Sequence, residues 1–159
     1  MTTIRLATPI DAPAERVFDL ARCVTLRENA LRPYRLRAAA GVTGDFLRPG
    51  TSLVWRGRFF GVPVSYTMKL STYSRPRHFR ERMTEGPFER LIHDRFFEPR
   101  EGDGTLLRDV YTFESPLGPF GEVVDAVYFE GYLEQILEVV NAELRRVAES
   151  EEWRRYLDE

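Results

Sequence analysis

Residues 86–121 limit the possible folds of this chain more than any other segment does. They predict two long β-strands joined by a tight turn at 101–104, where the sequence is Glu-Gly-Asp-Gly. Side chains alternate between the two faces of a strand, so each of these strands has one set of residues that faces inward. The inward set consists of Leu91, His93, Arg95, Phe97, Leu107, Asp109, Tyr111 and Phe113. A sheet that only packs a core does not need histidine, arginine and aspartate on its apolar face, whereas a sheet that lines a ligand cavity can use them.

The rest of the chain predicts one more strand, two short helices and a meander of strands. Alternating apolar residues indicate a first strand over 2–10. Asp11 as a capping side chain, with Pro13 in the first turn, then marks the start of a short helix. Thr25 can cap a second short helix, which Pro33 ends. Further strands are predicted near 36–44, 51–59, 62–74, 78–85, 88–99 and 105–115. Because the links between them are short, neighbouring strands should pair antiparallel.

A long helix is predicted over about 120–150, after a loop that is rich in proline and glycine. Its apolar residues recur every three or four positions, as Ala126, Phe129, Leu133, Ile136, Val140, Leu144 and Val147. The first turns are apolar all round, so Val124, Val127 and Tyr128 are expected to be covered and to belong to a binding site. No other predicted element is long enough to cover a seven-stranded sheet. The predicted class is therefore α+β, with a curved antiparallel sheet wrapped around this helix and a hollow between them.

Length and composition favour one folded domain that spans residues 1–159. The chain has 159 residues, 43% of them apolar, and a formal net charge of −2 without a block of like charge, which argues against a nucleic-acid surface. Cys23 is the only cysteine, so no intrachain disulfide can form. Neither a leader nor an apolar run of about 20 residues is visible, which predicts a cytoplasmic protein without a membrane span. The oligomeric state stays open.

Motifs for metal, nucleotide or hydrolase chemistry are missing from the sequence. His78 and His93 are the only histidines and lie in opposite strand phases, and no Cys/His cluster suggests a zinc site. The chain contains no P-loop, no G-x-G-x-x-G and no G-x-S-x-G motif. We therefore expect no metal and no cofactor.

Four ionisable residues share the inward phase of three adjacent strands: Glu81, His93, Arg95 and Asp109. A buried charge is tolerated only when it is paired or hydrogen-bonded, so a carboxylate with Arg95 can form a structural ion pair. Alternatively, the cluster orients the carbonyl, hydroxyl or carboxylate group of a ligand. Within that second interpretation, His93 beside a carboxylate can serve as a general base.

Aromatic and methionine side chains share the same inward phase. These are Trp55, Tyr66, Met68, Phe79, Met83, Tyr111 and Phe113. They either fill a core or line a cavity, and two methionines suit an adaptable apolar pocket. At one end of the sheet, three loops place Phe60, Phe88 and Phe120 beside glycine or proline. These rings predict an apolar rim at the cavity mouth, unless they fold back to plug the core.

Several short motifs are spread over almost the whole chain. They include Ile-Asp-Ala-Pro at 10–13, Pro49-Gly50 ahead of the strand with Trp55, Gly86-Pro87-Phe88, His93, Asp109 and Ser-Pro-Leu-Gly at 115–118. Together they resemble the START/Bet v 1-like (SRPBCC) superfamily, most closely its bacterial polyketide cyclase/dehydrase and lipid-transport-like proteins. The resemblance implies a helix-grip fold with a deep cavity for lipids, sterols, polyketides or other apolar molecules. Because that superfamily has no universal catalytic residues, the resemblance assigns none to this chain. For the inward aromatic and methionine side chains, the resemblance favours a cavity lining over a filled core.

Three functional hypotheses follow. The first is a non-enzymatic binder or carrier of a small apolar molecule, lipid- or polyketide-like, with one polar group. The second is a cyclase or dehydratase that acts on a polyketide-like substrate in the same cavity. The third is an interaction module that uses the apolar rim on a protein or a membrane surface.

Overall fold

Seven antiparallel strands form one sheet in the computed structural model of this protein, which describes residues 1–40, 46–59, 61–116 and 125–157. The strands are β1 Thr2–Ile10, β2 Arg37–Ala40, β3 Ser52–Phe59, β4 Val62–Ser74, β5 His78–Glu85, β6 Arg90–Arg100 and β7 Gly104–Glu114. Their order across the sheet is β1-β7-β6-β5-β4-β3-β2. Strands β2 to β7 thus form a meander. Strand β1 pairs with β7 and is the edge strand on that side of the sheet.

Helices lie at two places in the chain. Between β1 and β2 stand α1 (Ala14–Ala21) and α2 (Val24–Leu31), and α2 continues into a 3-10 turn at Arg32–Tyr34. After β7, a π-helical turn at Asp125–Phe129 leads into the long helix α3 (Glu130–Ala148). A 3-10 turn at Glu151–Trp153 and the short helix α4 (Arg154–Leu157) follow it. No helix among the described residues is both long enough and apolar enough to cross a membrane.

The element order and the seven-stranded antiparallel sheet predicted from the sequence are confirmed. The bounds of β4 and β5 match the predicted 62–74 and 78–85. Strand β2 is shorter than the predicted 36–44, and residues 41–45 lie outside the described residues. The long helix ends at Ala148, and the predicted start near residue 120 falls outside the described residues.

Both predictions of a side-chain cap on a short helix are wrong. Pro13 holds the N-cap position of α1 in an extended conformation, and its carbonyl oxygen accepts a hydrogen bond from the backbone nitrogen of Val17 at 3.1 Å. The N-cap position of α2 is Cys23 and not Thr25, and neither cap residue makes a side-chain cap hydrogen bond. The backbone nitrogen of Asp11 instead donates to a carboxylate oxygen of Glu149 at 3.2 Å, which joins this turn to the end of α3.

An aromatic cluster around Phe18 of α1 packs this helix against strands β4, β5 and β6. The Phe18 ring meets Tyr73, Phe79 and Phe97 edge-on at centroid distances of 5.4, 5.3 and 5.0 Å. Such edge-to-face pairs contribute beyond the area that they bury. The buried residues of α3 continue this core along the sheet as Leu133, Leu137, Leu144 and Val147.

Two predicted outcomes for side-chain exposure are wrong. Val127 and Tyr128 are predicted to be covered, but they are 65% and 61% exposed, because they lie off the apolar stripe that runs through Phe129 and Leu133 and no described element covers that side of the turn. Asp94 has the opposite strand phase from His93 and Arg95, which predicts that it faces solvent, but it is only 8% exposed. It does lie on the outer face, where Arg80 and His78 cover it with hydrogen bonds of 2.8–2.9 Å.

Candidate functional site

A cavity of about 90 Å³ lies between the inner face of the sheet and α3, with α2 at one side. Strands β3 to β7 supply its floor, and two turns of α3 cover it. Most of its lining is apolar: Leu31, Leu36, Trp55, Phe59, Met68, Phe88, Leu91, Leu133, Ile136, Leu137 and Val140. Helix α3 contributes only apolar residues to this lining, so the helix side of the cavity is apolar throughout.

The polar part of the lining is concentrated on the sheet side and on α2. It consists of Arg27, Tyr66, Glu81, His93, Arg95 and Tyr111. Antiparallel register explains why residues that are distant in sequence meet here. Glu81 lies directly opposite His93, and His93 lies directly opposite Tyr111, so the three form one row across β5, β6 and β7. The neighbouring row places Arg95 opposite Asp109.

Asp109 is the centre of a buried network behind the cavity wall. Its carboxylate accepts hydrogen bonds from Arg95 Nε at 2.8 Å and Asn141 Nδ2 at 2.7 Å, and it lies 2.7 Å from His93 Nε2. The Arg95 guanidinium also donates to Asn141 Oδ1 at 2.5 Å. Burial by itself raises the pKa of Asp109, but the charge of Arg95 and the bonds from His93 and Asn141 outweigh it and lower the pKa to about 2. Asp109 is therefore a carboxylate at neutral pH, and its charge is matched by Arg95.

The second carboxylate of the cavity, Glu81, is paired with Arg27 of α2. The two guanidinium nitrogens of Arg27 donate to Glu81 at 2.6 and 3.0 Å, and Arg27 also donates to the carbonyl oxygen of Ala21 at 2.9 Å. Burial opposes ionisation of Glu81, but the charge and hydrogen bonds of Arg27 prevail, so the pKa of Glu81 is lowered. Both acidic groups near the cavity are thus ionised and each has its own arginine.

Two tyrosine hydroxyl groups and one ring nitrogen remain for a ligand. Burial raises the pKa of both Tyr66 and Tyr111, so their hydroxyl groups keep their protons. Neither hydroxyl has a hydrogen-bond partner among the described residues. His93 uses Nε2 for Asp109 and lines the cavity with the rest of its ring. If Nε2 carries the proton, Nδ1 is an acceptor.

Eight of the fourteen predicted site residues that the structure describes surround this cavity, and the other six do not. Trp55, Tyr66, Met68, Glu81, Phe88, His93, Arg95 and Tyr111 line it. Phe79 is packed between Phe18 and Phe97, Phe113 lies against Phe88, and Met83 packs at the edge of the core. Asp109 acts behind the wall, whereas Val127 and Tyr128 face solvent. Val124, Phe60 and Phe120 lie outside the described residues.

Phe88 does not form an exposed rim. It is buried and packs against Phe59, Phe113 and Phe129 at centroid distances of 6.4, 5.6 and 5.2 Å. Its backbone position in a loop placed it among the rim residues, but the ring turns inward and closes the cavity. Of the two alternatives left open by the sequence, a plug describes Phe88 better than a rim.

Two polar residues of the site are absent from the sequence-based prediction. Arg27 is three and four residues before the buried Ala30 and Leu31, so helical spacing already places it on the buried face of α2. Asn141 is four residues after Leu137 and three before Leu144, inside the apolar stripe of α3. A polar residue in such a stripe is a usable signal, because it needs a partner when it is buried.

Among the described residues, no group of three His, Cys, Asp or Glu side chains could hold a metal ion.

Comparison with solved structures shows which fold this is. A protein of Thermus thermophilus, TTHA0849, superposes with a TM-score of 0.66 at 23% identity, covering 92% of this chain and 99% of its own. Ginseng major latex-like protein 151 from Panax ginseng gives a TM-score of 0.68 at 12% identity, covering 92% and 97%. The chain has the Bet v 1-like, helix-grip fold. Protein CV1439 from Chromobacterium violaceum gives a TM-score of 0.68 at 16% identity, covering 93% and 97%.

No protein-family model matches the sequence, and a search of curated proteins gave no match. At identities below 25%, the structural similarity establishes the fold alone, so a function has to be inferred from this chain's own cavity.

Proposed function

We propose that residues 1–159 form one ligand-binding domain, and that it binds a small apolar molecule, lipid- or polyketide-like, with one uncharged polar group. The observation that carries this proposal is the division of the cavity lining: α3 contributes only apolar residues, and all the polar groups lie on the sheet or on α2. Ligand sites are typically concave and mostly apolar, with a few convergent polar groups that fix orientation. An apolar body against α3 and a polar group against Tyr66, His93 and Tyr111 match that division.

Charge pairing argues for a neutral polar group on the ligand. Arg27 is neutralised by Glu81, and Arg95 is neutralised by Asp109. A ligand carboxylate would have to compete with these buried carboxylates for their arginines, or be buried without a counter-charge, which is costly. A carbonyl or hydroxyl group needs only hydrogen bonds, which the two tyrosine hydroxyl groups can donate.

The size of the cavity limits the ligand further. A volume of about 90 Å³ is well below the roughly 300 Å³ at the lower end for drug-sized ligands. A compact molecule fits without rearrangement, whereas a longer one requires side chains such as Phe88 to move. We therefore expect retained ligands to be small, or larger ligands to enter slowly.

The test is native mass spectrometry of the purified protein, followed by titration with an environment-sensitive apolar dye. The variant Val140→Phe fills the cavity and should reduce both the retained ligand and dye binding by about tenfold or more, because the added ring occupies the ligand's volume. Val139→Phe, on the neighbouring position of α3 that does not line the cavity, is the matched control. If no ligand is retained and Val140→Phe leaves dye binding unchanged, the proposed binding function is wrong.

His93 supports a second candidate function, acid–base catalysis of the cyclase or dehydratase type. Asp109 holds Nε2 of His93 at 2.7 Å, so Nδ1 can act as a base toward a molecule in the cavity. The Tyr66 and Tyr111 hydroxyl groups can donate hydrogen bonds to a carbonyl oxygen as charge develops on it. A base beside two hydroxyl donors suits proton abstraction next to a carbonyl group.

Acetylacetone is a small probe for this chemistry, because its carbon-bound protons are acidic. We would follow their exchange in heavy water by nuclear magnetic resonance, with wild type and with His93→Gln. A base at His93 predicts that exchange at saturating acetylacetone is faster with wild type than with the variant, so weaker binding by the variant does not account for the difference. Equal exchange rates would remove the catalytic candidate and leave the binding proposal intact.

A further inference from the structure

A separate open groove of about 890 Å³ lies at the edge of the sheet, outside the cavity. It is lined by α2, by the segment that leads from α2 into β2, and by parts of β3 and β4. Five arginines stand in its lining: Arg32, Arg35, Arg37, Arg56 and Arg58. Glu28 is the one carboxylate among the described lining residues. The groove is thus strongly positive in a chain whose formal net charge is −2.

None of these five arginines forms an ion pair with a described residue. Arg32 donates to the side-chain oxygen of Asn29 and Arg58 to the carbonyl oxygen of Gly61, both at 2.9 Å, and these acceptors are neutral. Several arginines elsewhere on the surface are paired, as Arg75 is with Asp19 at 2.7 Å. Within the part of the chain that the structure describes, the positive charge of the groove is therefore left free for a partner from solution.

Two arginines of the groove face each other across neighbouring strands. Arg37 of β2 lies directly opposite Arg56 of β3 in the antiparallel register, and both side chains are exposed. Like charges that are directly opposite each other in a sheet destabilise it. An anion bound between them would replace this repulsion with two attractive contacts.

The backbone around the groove is held in an uncommon conformation. Arg35 has a φ of 57°, in the left-handed region that non-glycine residues rarely adopt. Its carbonyl oxygen and the Cα of Leu36 would lie 2.8 and 2.9 Å from a Cβ at Gly57. Close packing against a glycine of β3 thus fixes Arg35 beside the arginines that flank Gly57. Strain of this kind is often found at functional sites.

We propose that this arginine groove is a binding site for a phosphate-bearing ligand. Guanidinium groups are planar forks that bind phosphate oxygens through two parallel hydrogen bonds, and a phosphate group carries enough charge to neutralise two of them. The site is distinct from the cavity, although the buried Leu36 forms part of the wall of both. It does not depend on what the cavity binds.

Inorganic pyrophosphate is the probe, measured by isothermal titration calorimetry at low ionic strength. Arg37→Ala/Arg56→Ala should weaken its binding by at least about tenfold, because two charge-assisted contacts are lost. The matched control is Arg82→Ala/Arg90→Ala, which removes two exposed sheet arginines that lie outside the groove and form no ion pair with described residues. Equal weakening in both double variants, or no binding to wild type, would overturn the proposal.

The change in Tm on adding pyrophosphate gives a second readout. Because each protein is compared with itself, a general loss of stability in a variant does not affect this change. Pyrophosphate should raise the Tm of wild type and of the control variant but not that of Arg37→Ala/Arg56→Ala, since a ligand stabilises only the state that binds it. Without pyrophosphate, the groove variant should be at least as stable as wild type, because the repulsion is gone. A pyrophosphate-induced Tm rise of equal size in all three proteins would contradict the assigned site.

Vesicles distinguish a soluble phosphate from a lipid headgroup as the source of the same chemistry. Phosphatidylcholine vesicles with and without phosphatidic acid would be floated with wild type and the groove variant. Binding only to phosphatidic acid vesicles, lost in the groove variant and displaced by pyrophosphate, assigns a lipid phosphate. Binding of pyrophosphate without vesicle binding assigns a soluble phosphate ligand, and both results support the groove.

Discussion

Asn141 of helix α3 donates a hydrogen bond from Nδ2 to Oδ2 of Asp109 on strand β7, at 2.7 Å. The same amide group also lies 3.2 Å from the hydroxyl oxygen of Thr8 on β1, and its oxygen accepts from Arg95. One side chain of the helix thus satisfies polar groups on three strands. The buried network therefore fixes where α3 crosses the sheet, and with it the height of the cavity roof.

Asp109→Asn should lower the free energy of unfolding by about 3–5 kcal/mol, because it leaves the Arg95 charge buried without a counter-charge. Urea unfolding measures this loss. Glu98→Gln is the control, since it breaks the exposed pair with Arg108 and should cost no more than about 1 kcal/mol. Asp109→Asn should also weaken dye binding by releasing Arg95 and His93. A variant that is destabilised but binds the dye as wild type does would show that the cluster is structural only.

The stability of the protein should fall as the pH drops from about 4 to about 2. The folded-state pKa of Asp109 is about 2, below its ordinary value of 3.8. Asp109 therefore contributes stability that is present above the ordinary value and is lost as the pH falls through the folded-state value, by roughly 2 kcal/mol in total. Urea unfolding at a series of pH values measures the slope. In Asp109→Asn the total loss of stability over this pH range should be smaller by that amount, and an unchanged loss would contradict the assignment.

Two glycine-to-alanine substitutions should change stability in opposite directions. A Cβ at Gly57 would lie 2.6 Å from Cδ2 of Leu36 and within 3 Å of backbone atoms of Arg35 and Leu36, so Gly57→Ala should cost about 1–3 kcal/mol. A Cβ at Gly131 on α3 meets no described atom within 4 Å, so Gly131→Ala should add about 0.5–1 kcal/mol by its helix propensity. Thermal unfolding compares the two. Equal effects would show that the close approach at Gly57 does not limit the chain.

The strands could be predicted because alternation is a local property of the sequence. In β4, Tyr66, Met68 and Leu70 alternate with Thr67 and Lys69, and the predicted bounds match the structure. The rows across the sheet follow from short links and antiparallel pairing, so Glu81, His93, Arg95 and Asp109 could be brought together from the sequence.

The remaining site residues depend on contacts that a local pattern does not contain. Arg27 reaches Glu81 across 54 positions of sequence, and Asn141 reaches Asp109 across 32. Asp94 is on the outer face as its phase requires, yet the long side chain of Arg80 covers it. Strand periodicity predicts which face a residue occupies, but not what a flexible side chain or a distant helix places over it.

Phe88→Ala should enlarge the cavity and speed the entry of ligand. The Phe88 ring lines the cavity and packs against Phe59, Phe113 and Phe129, so its removal joins the space that it fills to the space already present. The substitution should cost about 3–5 kcal/mol of stability, as for other buried phenylalanines. Stopped-flow fluorescence with an apolar dye should show faster uptake and binding of a larger dye than wild type accepts.

Phe97→Ala is the matched control for that substitution. Phe97 is also buried, but it packs against Phe18 and Phe79 in the core and does not line the cavity. It should lose a similar amount of stability, so any effect of general loosening appears in both variants. Faster uptake in Phe88→Ala alone would identify this ring as the barrier to entry. Equal acceleration in both variants would mean that ligands enter through overall loosening of the fold, and the assignment of Phe88 would then be wrong.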